Sequence, residues 1–111
     1  MNNDKVIENI KEELKVVFFN SYEDIKSQLE KDFDTFFEIS KSKLERWMIL
    51  FSTGDITKEE LEWLLKSQLD IVVLKTLQAN GLSKIRLNTI KKNIVKIILK
   101  VIMDVIIPRT K

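Results

Sequence analysis

The sequence predicts an all-α fold, a small bundle of four helices or of three with a very long first one. Apolar residues recur at spacings of three and four nearly throughout, which is the period of a helix and not the alternation of a strand. Two Gly and one Pro are the only strong helix breakers in 111 residues. Where Gly does occur, at Gly54 and Gly81, capping residues follow within a few positions.

The first helix carries one apolar stripe, Ile7, Ile10, Leu14, Val17 and Phe18, with Lys5, Glu8, Lys11, Glu12 and Lys15 around the rest of the cylinder. The second continues the pattern through Tyr22, Ile25, Leu29, Phe33, Phe36, Phe37, Leu44, Trp47, Met48 and Phe51. Its stripe is rich in aromatics, and Ser40 fills its one gap. The stripe stays in register from Phe18 to Leu29 and no Gly or Pro forces a stop, so one unbroken helix over 4–53 is the alternative. That helix would be ~75 Å long. A break near 20–22 is favoured, because Asn20 and Ser21 compete for backbone hydrogen bonds and Ser21 can cap a new helix, with Asp24 favourably placed in its first turn.

Ser52-Thr53-Gly54-Asp55 then supplies a stop, and Thr57-Lys58-Glu59-Glu60 is a capping box preceded by Ile56 and followed by Leu61 at the spacing of a hydrophobic staple. The third helix runs through Trp63, Leu64, Leu65, Leu69, Ile71, Val72, Val73, Leu74 and Leu77 to a left-handed stop at Gly81. Ser83 caps the last helix, which continues to about Ile107 and ends at Pro108. Its many Val and Ile residues favour strand, but Lys92, Lys96, Lys100 and Asp104 recur every fourth residue, which makes a polar stripe on a helix.

A chain of 13.1 kDa with 44% hydrophobic residues builds one core and one domain, over residues 1–111. With neither Cys nor His, disulfides, thiol nucleophiles, ordinary zinc sites and the commonest general base are all excluded. The expectation is a protein that is not an enzyme and needs no cofactor. Asp32, Asp34 and Glu38, like Glu59, Glu60 and Glu62, are best explained as solvated charge rows and helix-start acids. Trp47 and Trp63, either side of the Gly54 turn, are expected to pack near each other in the core. Gln68 and Lys75 mark a wet groove, an interface rim or simply a partly exposed position. The opening residues contain no apolar stretch suited to a signal peptide and charges interrupt every long apolar run, so a cytoplasmic, non-spanning protein is expected.

Net charge is +2, but it is divided unevenly: residues 1–55 hold 8 basic and 12 acidic side chains, a net of −4, and residues 56–111 hold 11 and 5, a net of +6. These halves attract one another within one bundle, or the basic half faces an anionic partner.

The last helix carries the main functional candidates. Leu87, Ile90, Ile94, Ile97, Ile98, Val101 and Val105 fall in one arc and form its core stripe. A second set, Val95, Leu99, Ile102 and Ile106, lies ~100° further round, where one neighbouring helix cannot cover both. Either the helix sits deep between several others or this set is an interface with a second copy or a helical protein partner. The leading expectation is accordingly a self-associating interaction module. Lys92, Lys96 and Lys100 are candidate contacts to an anionic surface, which makes a membrane-surface protein the alternative. No nucleic-acid-binding motif accompanies them, and no small-molecule substrate is evident. A small immunity-type bundle that binds a protein partner is a third reading, by analogy of fold alone.

Overall fold

The computed structural model describes residues 3–106 as helices joined by short turns, with no strand among them. Helix α1 (Asn3–Glu13) continues through a π-helical turn at Leu14–Phe18 and a 3₁₀ turn at Phe19–Ser21. A second 3₁₀ turn, Glu23–Ile25, leads into α2 (Lys26–Ser52). Helix α3 (Lys58–Leu69) passes through a π turn at Asp70–Leu74 into α4 (Lys75–Ala79), and the two act as one rod. Helix α5 (Lys84–Ile106) closes the described chain. The expected stop at Ile107 and Pro108 lies outside the described residues.

The first two helices are separate. Tyr22, with φ −125° and ψ 61°, leaves helical geometry, and the whole molecule measures 41 × 24 × 24 Å, too short for an unbroken first helix. Asn20 contributes to the break by donating its side-chain amide to the Val16 carbonyl at 3.2 Å. The expected Ser21 cap does not form: neither Tyr22 nor Ile25, the residues preceding the new helical turns, offers a side-chain cap either. Ser21 is itself part of the 3₁₀ turn. Aromatic packing holds the corner instead, with Phe18 against Phe19 and Tyr22, and Phe19 against Phe33 at a ring separation of 5.6 Å. At the end of the π turn the adjacent Phe18 and Phe19 are both buried.

The other boundaries follow local chemistry. Thr57 Oγ1 accepts from the Glu60 backbone N–H at 3.0 Å and Glu60 Oε1 from the Thr57 N–H at 2.8 Å, completing the capping box. Ile56 packs against the core beside the fully buried Leu61. Gly54 and Gly81 take φ values of 84° and 96°, the left-handed stops that glycine permits. Ser83 Oγ accepts from the Arg86 N–H at 3.2 Å and caps α5.

The rods run up, down, up and down. Asp4 pairs with Lys41, Ser40 with Gln68, Asp70 with Lys91 and Glu13 with Lys100, so every adjacent pair is antiparallel and α5 returns beside α1. Helices α1 and α2 thus make one side of a four-membered ring, and α3, α4 and α5 the other. Core side chains come from all of them, including Ile10, Leu14, Phe36, Leu44, Leu65, Leu77, Ile90 and Ile98. Val105, expected in the core stripe, is 36% exposed, because it sits in the last described turn of α5 at the bundle's end.

Candidate interaction surface on α3 to α5

The second apolar stripe of α5 is not a free surface. Val95, Leu99 and Ile102 are 2%, 7% and 0% exposed within the single chain. Their burial corrects the expectation of an interface there: α5 packs against both α1 and α3, so two neighbours cover an apolar arc that one cannot. The side chain of Ile106, like that of Val17, lies outside the described set. Lys92, Lys96 and Lys100 are exposed, as a contact surface requires. Lys100 is drawn toward α1 by Glu13 at 3.6 Å, whereas Lys92 and Lys96 have no ionic partner among the described residues.

Trp63 overturns a second expectation. It is 67% exposed, while Trp47 is half-buried on α2, and no ring contact joins them. Trp63 stands two residues from each of the fully buried Leu61 and Leu65, and two residues turn a helix by ~200°, so it must face away from the core they enter. Ile71 and Ile85 are also outward, at 66% and 81% exposed.

These three side chains belong to one side of the molecule. Trp63 and Asp70, seven residues apart, share a flank of their rod to within ~20°. Asp70 reaches Lys91 on α5 at 3.1 Å, so the flank is the one next to α5. On α5, Ile85, Lys92, Lys96 and the half-buried Met103 fall within an arc of ~40°. Between the two rods runs a groove lined by Asp70, Ile71, Leu74, Lys84, Leu87 and Asn88. Lys75, Lys84, Lys92 and Lys96 carry no ion pair within 4.0 Å among the described residues.

The uneven charge of the sequence is therefore a sidedness of the fold. Residues 3–52 carry 8 basic and 11 acidic side chains, a net of −3, and residues 58–106 carry 9 and 5, a net of +4. The groove between α1 and α2 shows the contrast, with Glu8, Glu12, Glu30 and Asp34 outnumbering Lys11 and Lys15 along its walls. Ion pairs from α5 to the acidic side, Arg86 to Asp24 at 2.8 Å and Lys100 to Glu13, bridge the halves without removing the imbalance. The Arg86 hydrogen bond holds the Asp24 carboxyl below its ordinary range, and Asp24 in turn raises Arg86. Lys41 is raised by its hydrogen bond to Asp4.

Of the other candidates, Gln68 is 5% exposed and bonded inside the core, whereas Lys75 is exposed. Asp34 and Glu38 are exposed as a charge row, but Asp32 is 8% exposed, and burial raises its carboxyl despite a hydrogen bond from Gln28. A comparison with known protein families, curated proteins and solved structures finds no match to this chain.

Proposed function

We propose that this protein is a non-enzymatic helical module that works by binding a macromolecular surface through the outer face of α3, α4 and α5. One observation carries the reading: Trp63, Ile71 and Ile85, the three most exposed large apolar side chains among the described residues, share the α3 to α5 side with Lys75, Lys84, Lys92 and Lys96, none of which has an acidic partner among the described residues. Isolated exposed apolar residues are ordinary, but apolar groups grouped with uncompensated charge on one side mark a surface suited to a partner. A chain without His or Cys supports binding over catalysis.

Self-association, the leading expectation from the sequence, rested on Val95, Leu99, Ile102 and Ile106, and the burial of the first three within the chain removes their support for it. A two-fold dimer through the basic face would set like charges against each other. The test uses Trp63 as reporter. In a Trp47→Phe variant, its emission is followed against rising protein concentration, polyuridylate and lipid vesicles. A shift with any of these supports a binding face; an emission unmoved by all of them contradicts it.

A further inference from the structure

Resting on that reading, we infer that the partner is an anionic lipid bilayer surface, against which α3, α4 and α5 lie flat. The Asp70–Lys91 pair fixes the antiparallel register of the two rods and sets Trp63 at the height of Ile98. From there to Ile85 the exposed apolar groups extend over ~20 Å along the bundle, with Ile71 between them. Exposed lysines recur along its length: in that register Lys96 lies within ~3 Å of the height of Trp63 and Lys92 within ~3 Å of that of Ile71, and Lys84 adjoins Ile85 in sequence.

That arrangement matches the chemistry of a bilayer interface. An indole is suited to the headgroup level, Ile side chains reach just beneath it, and flexible lysines keep their ammonium groups among anionic headgroups while their methylenes cover apolar surface. Protein interfaces, by contrast, are depleted in Lys at their centres. Nucleic acid rewards the lysines through its phosphates but offers little to Ile71 and Ile85, and Arg86, the one arginine of α5, is held by Asp24. The acidic side formed by α1 and α2 then faces away from the lipid, which sets the orientation. No helix among the described residues is long and apolar enough to cross a membrane, so contact is at the surface.

Flotation of the full chain with phosphatidylcholine vesicles, with and without phosphatidylserine, tests this. Binding is expected only with phosphatidylserine and is expected to weaken with salt. The K92E/K96E variant should bind at least about tenfold more weakly, whereas K31E/R46E, which changes net charge equally on the acidic side, should stay within about twofold of wild type. Circular dichroism checks that each variant folds, and K92Q/K96Q with K31Q/R46Q is the milder pair used if either does not. Equal binding to neutral vesicles, or equal loss in both charge-reversed variants, overturns the inference. A Trp63 shift with protein concentration or polyuridylate alone overturns the bilayer as partner and leaves the binding module standing; no shift with any probe overturns both.

Discussion

Gln68 donates its side-chain amide to the hydroxyl of Ser40 at 3.0 Å, across the α2–α3 contact, where the two residues are 5% and 0% exposed. The Gln68 carbonyl oxygen receives a longer 3.5 Å contact from Lys43. Each polar residue interrupts its helix's apolar stripe, and each satisfies the other. Truncating one partner strands a buried amide or hydroxyl, whereas replacing both with apolar groups leaves nothing unsatisfied. Ser40→Ala and Gln68→Leu should each destabilise the fold, and the double variant should lose less than the sum, with a coupling of about 1 kcal/mol. Urea denaturation of the four species measures it; strict additivity would contradict the pairing.

Two large side chains that the sequence alone ranks wrongly should separate in the same assay. Ile102 is fully buried, so Ile102→Ala should cost about 2–4 kcal/mol of folding stability. Trp63, though the larger, is 67% exposed, and Trp63→Ala should change stability by no more than about 0.5 kcal/mol. A comparable loss in both would contradict the placement of Trp63.

Apart from the Ser21 cap, which does not form, local capping chemistry was readable from the sequence, and long-range pairing was not. Thr57 and Glu60 recognise each other three residues apart, and Gly54 and Gly81 need only their own backbone, so those boundaries stand as expected. The gap at Ser40 was visible, but its partner lies 28 residues away, and only the packing of α2 on α3 brings it there. The exposure of Trp63 was available from its angle to Leu61 and Leu65, yet residue type outweighed position in assigning it to the core. Coverage of Val95, Leu99 and Ile102 could not be read from α5 alone, because it depends on α1 and α3 both lying alongside. The unequal charge of the two halves became spatial only once the ring order placed α1 beside α2 and α3 beside α5.

Asp32 makes stability depend on pH in a direction opposite to that of a salt-bridged acid. Its Oδ2 is buried without a hydrogen-bond partner, and desolvation raises its carboxyl above the ordinary value. A raised acid binds its proton more tightly in the folded than in the unfolded chain, so this site's contribution is most favourable in acid and falls as pH rises through the interval between the two values. Asp32→Asn, which keeps an acceptor for Gln28, should therefore gain stability relative to wild type on going from acid to neutral pH. Urea midpoints at both pH values test this; an offset independent of pH would contradict it.

The most direct test of a lipid-facing α3 to α5 surface is depth-dependent quenching by phosphatidylserine-containing vesicles whose acyl chains carry bromine, read from each tryptophan separately. With Trp47→Phe leaving Trp63 as the only reporter, strong quenching by bromines nearest the headgroup is expected. With Trp63→Phe leaving the half-buried Trp47 on α2, quenching should be weak. Equal quenching of the two, or quenching of Trp47 alone, would contradict the orientation and with it the assignment of the basic face to the membrane.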